Sequence, residues 1–186
     1  MFVLAGEVSV AAGESESALG PDDFAYFPPG EAHAVSSASG ASLLLYEQRY
    51  VEPVGAAAEA AGGRRPRVQV GSTGLQPSLP VEGEVFGLRK LLPATAEYDF
   101  NMHVMTFEPG EFLAVKEVHY NQHGLLLLEG RGIYRLADRW YPVAAGDAIW
   151  MAPYVVQWYA ALGKTRSRYI INKDTSRDPL QTTTPR

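Results

Sequence analysis

Lys116-Glu117-Val118-His119-Tyr120-Asn121-Gln122-His123-Gly124, followed by Gly130, Gly146-Asp147 and Pro153-x3-Gln157, is the stretch on which the reading of this chain turns. Glu117 and His119 are one residue apart, a spacing that puts both side chains on one face of an extended strand, and His123 has the same parity. Gln157 follows 34 residues later. Three donors are thereby expected to converge from one edge of a sheet, with a later strand supplying the fourth. Two imidazoles and a carboxylate bind first-row divalent ions, and an added carboxamide oxygen shifts the preference toward a hard six-ligand ion, manganese(II) or iron(II) rather than zinc. Four protein ligands on an octahedral ion leave two positions for water or substrate.

Read singly, each donor has an ordinary account: Glu117 as a surface carboxylate, His119 or His123 as a hydrogen-bonded core histidine, Gln157 as a strand residue. An internal repeat changes the balance. Leu4-Ala5-Gly6 matches Leu128-Glu129-Gly130, Asp23 matches Asp147, Tyr26 matches Trp150, Pro29 matches Pro153 and His33 matches Gln157, all at a spacing of 124 positions without a gap. Each copy reads as a glycine turn, a short strand, an acidic turn, an aromatic-rich strand and a proline turn. The residues before Leu128, from about Val81, would need counterparts before residue 1, so the first copy reads as an incomplete barrel.

These signs define an all-β expectation: residues 1–53 a partial first barrel, 54–80 a linker, 81–180 a second, metal-binding barrel, and 181–186 a tail. Residues 54–68 are rich in Ala and Gly and read as mobile, with a short helix over Ala56–Ala61 ended by the Gly62-Gly63 pair. Strands are expected over Val85–Leu92, His103–Phe107, Leu125–Leu128, Gly132–Leu136, Ala148–Met151, Gln157–Ala161 and Ser167–Asn172. His33 reads as structural. His103 reads as a core or substrate-pocket histidine rather than a fifth ligand.

Composition narrows the partners. The chain has 186 residues, 46% of them hydrophobic, enough for a sizeable core. A net charge of -5, with only short basic stretches, argues against nucleic acid. No apolar run approaches the ~20 residues that span a bilayer. Cysteine is absent, which removes disulfides and thiolate metal ligands.

The motif Gly110, Glu117-x-His119-x3-His123-x6-Gly130, with Gly146-Asp147 and Pro153-x3-Gln157, resembles the paired cupin motifs, with Glu, His and Gln exchanged among the usual ligand places. That exchange, together with Gln157-Trp158-Tyr159-Ala160, resembles the (S)-ureidoglycine aminohydrolases of purine (allantoin) breakdown. The resemblance implies two tandem cupin barrels (double-stranded β-helix, jelly-roll), the first incomplete. It implies one Mn2+ on Glu117, His119, His123 and Gln157, and an enzyme that hydrolyses the C–N bond of (S)-2-ureidoglycine to (S)-ureidoglycolate and ammonia. It implies Tyr134, Tyr169 and Lys173 as substrate contacts, with Glu117 and Lys173 catalytic. Without it, barrel packing and a rim cation are the simpler accounts of those three.

A homo-oligomer is implied as well, and the endoplasmic reticulum by the plant members, or the cytoplasm if this chain is the complete product. A small ureide is the expected partner, with neither nucleic acid nor membrane. Other chemistries stay open on the residues alone: an iron dioxygenase, an isomerase, or a cupin that only binds or stores.

Overall fold

Runs of four to eight apolar and β-branched residues, broken by glycine and acidic turns, become strands, and alternation along each strand decides what it faces. The computed structural model describes residues 1–178. The expected tail, 181–186, and the last two residues of the span 81–180 lie outside the described residues. The first repeat contains β1 (Phe2–Gly6), β2 (Val8–Ala12), β3 (Ser15–Leu19), β4 (Asp23–Tyr26), β5 (His33–Ser36) and β6 (Ala41–Leu44). After α1 (Ala56–Ala61) come β7 (Gln69–Ser72), β8 (Gly87–Lys90) and β9 (Phe100–Phe107). The second repeat contains β10 (His123–Glu129), β11 (Arg131–Leu136), β12 (Arg139–Ala144), β13 (Ala148–Met151), β14 (Gln157–Ala161) and β15 (Ser167–Asp174).

The duplication read from the sequence extends to strand pairing. Phe2 pairs with Phe24 as Leu126 pairs with Ala148, and Val10 pairs with Val35 as Tyr134 pairs with Tyr159. A bulge falls between Val3 and Ala5 in one copy and between Leu127 and Glu129 in the other. Turn handedness repeats even where the residue changes: positive φ recurs at Gly13 and Ala137, at Asp22 and Gly146, and at Gly30 and Tyr154. The backbone path is therefore set by the whole ladder and not by glycine alone.

Each repeat makes two antiparallel sheets. The first gives β6-β1-β4-β7 and β3-β2-β5; the second gives β13-β10-β15-β9-β8 and β12-β11-β14. The architecture is an all-β, cupin-type one. β9 is buried on both faces, and its parity explains why. Met105 and Phe107 point into the core between the second repeat's two sheets, with Leu127, Tyr159 and Tyr169. Phe100, Met102 and Val104 point the other way, against Phe2, Phe24 and Ile170, where the five-stranded sheet packs on the four-stranded sheet of the first repeat. Arg168 crosses the same junction, reaching Asp22 at 2.8 Å and Glu129 at 2.5 Å.

Three elements depart from the sequence expectation. The span 54–80, read as a linker, holds α1 as expected, ended by Gly62 in the left-handed conformation, but also β7, which pairs with β4 from Asp23–Ser72 to Tyr26–Gln69. Gly71 makes this possible, because its bare Cα lies against the Phe24 ring. β12 was not anticipated; it is an edge strand, and Pro142 there forfeits no ladder hydrogen bond. Finally, Glu117 and His119 do not lie on a continuous strand. Isolated bridges Phe112↔Ala160 and Glu117↔Gln157 pin this segment to β14, and it bows out between them.

Candidate metal centre

The Glu117 bridge does what strand parity was expected to do. The Glu117 N–H donates to the Gln157 carbonyl at 2.9 Å and the Gln157 N–H returns the bond at 3.0 Å, so the first and fourth expected donors are locked side by side. His119 sits two residues on, its carbonyl accepting the Tyr154 N–H at 2.9 Å. His123 begins β10, where it pairs with Lys173 of β15 and Met151 of β13.

The side chains close together. The Gln157 amide stands between the imidazoles, its nitrogen 3.0 Å from Nε2 of His119 and its oxygen 3.0 Å from Nε2 of His123. A Glu117 carboxylate oxygen is 3.8 Å from Nε2 of His119. Lys173 Nζ is 3.3 Å from the same nitrogen, and the Tyr134 hydroxyl donates to the Gln157 amide oxygen at 3.2 Å. Among the described residues, histidine and acidic side chains alone form no group of three placed to share an ion. The amide is what joins them, and Gln157 is almost wholly buried at 1% exposure.

A proton count tests whether this set suits a cation. The Nδ1 atoms of His119 and His123 both face the carbonyl oxygen of Asn121, at 3.0 and 3.3 Å. That makes two contacts in which an imidazole must donate. The Gln157 amide oxygen meets one of the Nε2 atoms whichever way the amide is turned, and that is a third. Two neutral imidazoles carry only two N–H groups between them. With both rings neutral one lone pair faces another, a conflict that a cation among these atoms, a metal ion or a third ring proton, removes. Burial pushes the His123 pKa down to about 4, which keeps its ring neutral and ready to act as a ligand. The shared carbonyl is the outer-shell acceptor that orients metal-ligating histidines, and the residues present suit a divalent ion.

The remaining charge is arranged around the same point. The neighbouring His119 side chain, followed by the charge of Lys173, lowers the pKa of Glu117 against the opposing effect of burial. Burial lowers that of Lys173. Burial also raises the pKa of Tyr134 and Tyr169, so both phenols keep their protons.

A cavity of about 190 Å³ opens here, lined by Glu117, His123, Tyr134, Tyr169 and Lys173 together with Lys90 and His103. The structure thus brings together every site residue singled out from the sequence. Tyr134 is closer to the donors than expected, bonding Gln157 directly, while the Tyr169 ring also packs on Phe107 and Tyr159 at 5.5 and 5.3 Å. Sequence reasoning missed Asn121 and Lys90. Asn121 acts through its main chain, which leaves no sequence signal, and Lys90 enters only because β8 pairs it with His103. His33 lies elsewhere, on a separate pocket of about 590 Å³ between the first repeat and the Asp99, Phe100 and Met102 end of β9.

The Cupin domain family model matches residues 103–171, the stretch that holds all four donors. A crystal structure of a putative glyoxylate-induced protein from Pseudomonas aeruginosa superposes with a TM-score of 0.76 at 25% identity, over 100% of this chain and 67% of that one. Fold and site together define a protein of the cupin class. The relatives narrow this further. The chain is 56% identical over 181 residues to the (S)-ureidoglycine aminohydrolase of Arabidopsis thaliana, covering 97% of this chain and 58% of that protein. It is 31% identical over 182 residues to the (S)-ureidoglycine aminohydrolase of Escherichia coli (strain K12), covering 96% of this chain and 67% of that protein. The chain belongs to the (S)-ureidoglycine aminohydrolase family, and spans little more than half the length of the plant relative.

Proposed function

We propose that this chain carries the catalytic site of an (S)-ureidoglycine aminohydrolase, which hydrolyses (S)-2-ureidoglycine to (S)-ureidoglycolate and ammonia. Manganese(II) would be held by Glu117, His119, His123 and Gln157. The observation that carries this reading is the convergence of four donors with one more acceptor contact than two neutral imidazoles have protons to serve. The plant and bacterial relatives, named for that activity, support the substrate. The two repeats are further proposed to be tandem cupin barrels, the first drawn from residues 1–53 with β7 added to its sheet and the second from 81–180, and exposed Phe112, Trp140 and Trp150 support a homo-oligomer.

A divalent ion there supplies Lewis-acid polarisation and acidifies a bound water. The protein's own groups do the rest. Lys173 carries the substrate carboxylate as a point charge. Glu117, with a depressed pKa, is ionised and takes the proton of the attacking water, then passes it to the departing amine. Tyr134 fixes the Gln157 amide, and Tyr169 closes the cavity wall. A walled cavity keeps bulk water from a labile substrate.

The test is to purify the chain, quantify bound metal, and measure ammonia released from freshly made ureidoglycine. Bound manganese near one per chain with ammonia release is the expected result. Turnover requiring iron and oxygen, or no metal uptake at micromolar manganese, would overturn the reading.

A further inference from the structure

We infer that His103 is a further substrate-contacting residue of this site, hydrogen-bonding the uncharged ureido end of the molecule whose carboxylate Lys173 carries. The inference rests on the function proposed above. On the inward face of the five-stranded sheet, successive rows run His123, Lys173, Asn101 and then Leu125, Ile171, His103, with Lys90 beyond on β8. His103 is thus one step deeper than Lys173 and lines the same cavity as Glu117 and Tyr134.

Its neighbour on the strand shows what a purely structural polar side chain looks like here. Asn101 is 1% exposed and fully engaged, its amide donating to the Leu92 carbonyl at 2.8 Å and accepting the Leu92 N–H at 3.2 Å. His103 is 9% exposed, yet its Nε2 is buried and meets no partner among the described residues. A buried polar atom left unpaired calls for an explanation, and in a cavity wall a ligand supplies one.

Chemistry selects which end of the substrate it meets. Lys90 and Lys173 both line the cavity, so cationic partners for a carboxylate are already present. Burial first, then the charges of those two lysines, push the His103 pKa down to about 3. A neutral imidazole offers one N–H and one lone pair. A ureido group presents a carbonyl and N–H groups, the complement of that pair.

The test compares two ligands by calorimetry on the manganese-loaded protein: (S)-ureidoglycolate, and glycolate, which keeps the carboxylate and hydroxyl but lacks the ureido group. His103→Ala should weaken ureidoglycolate about tenfold, the size of one hydrogen bond to an uncharged group. Glycolate affinity and manganese content should be unchanged, and His103→Gln, which keeps a donor and an acceptor, should recover most of the loss. Equal weakening of both ligands, or of neither, would overturn the assignment. If the unaltered protein binds manganese but neither ligand, the proposed substrate fails and this inference with it.

Discussion

Position 33 in the first repeat and position 157 in the second occupy the same rung of the same ladder, His33 pairing with Ala12 and Gln157 with Leu136. Their surroundings differ in every other respect. His33 is exposed, stacks on Phe27 at 3.9 Å with rings parallel to within 2°, and turns Nδ1 to the Glu31 carbonyl. Gln157 is buried and touches two imidazoles and a phenol. Where the second repeat has Tyr134 aimed at that amide, the first has Val10, packed in a small aliphatic core. One backbone plan therefore supports a polar cavity or an apolar filling, and side-chain identity at a few inward positions decides which.

The sharpest way to break this contrast is Glu117→Ala. The carboxylate is expected both to hold the ion and to move the proton, so bound manganese and ammonia release should be lost together, activity by roughly a thousandfold or more. Metal analysis and an ammonia assay on one preparation check it. Full activity in the variant would show that the donors of the second repeat are no more functional than His33.

Acid should distinguish the repeats next. Burial depresses the pKa of His123 to about 4 and of His103 to about 3, against an ordinary value near 6.5. Between those values the unfolded chain binds protons that the folded chain refuses. The stability contributed by neutral burial is complete above about pH 6.5 and is lost as the pH falls toward 4, by about 3 kcal/mol for each histidine. The first repeat's histidine, by contrast, lies on the surface. Urea midpoints of the metal-free chain at pH 7, 5.5 and 4.5 should fall steeply; a flat series would mean that neither imidazole is held neutral by its surroundings.

The order in which the molecule became readable follows from where each signal is stored. Turn glycines and the acidic turns at Asp23 and Asp147 are local, and both carboxylates do the same work, accepting the N–H of Gly20 at 2.9 Å and of Ala144 at 2.8 Å. That made the repeat visible in the sequence, and with it the place of Gln157. β7 and β12 escaped because neither has an apolar alternation of its own; β7 is a strand because β4 offers an edge, and β12 because β11 does. The four donors were legible as a set, but the reason they meet was not. Parity on a strand was the expected cause, whereas the Glu117↔Gln157 bridge, a long-range main-chain pairing, is the observed one. Asn121 was silent for the same reason, since any residue type has a carbonyl to offer.

The Asn121 side chain nonetheless gives a handle on that carbonyl. Its amide donates to the Asp174 carbonyl at 2.6 Å, tying the segment between the two histidines to the end of the strand that carries Lys173. Asn121→Ala should loosen the acceptor shared by both imidazoles and weaken manganese binding about tenfold, the lower end of what outer-shell changes cost. A manganese titration reads this directly, with an unchanged circular dichroism spectrum showing that the fold is intact. Unaltered affinity would mean that the ligand segment is held by its bridges to β14 alone.

The smallest effect is expected at the residue that looks most like a ligand in the first repeat. His33 follows Pro28-Pro29-Gly30-Glu31-Ala32, a turn that matches the one leading to Gln157, and a sequence comparison of the two copies would rank it beside the proposed donors. Its contacts are an aromatic stack and one main-chain oxygen, both on the surface. Exposed contacts of this kind contribute little, so His33→Ala should change stability by no more than about 0.5 kcal/mol. Manganese content and ammonia release should stay within twofold of the unaltered chain, because its pocket shares no residue with the cavity of the second repeat. A large loss of activity in this variant would couple the two repeats functionally, and the first would then be more than a platform against which the five-stranded sheet packs.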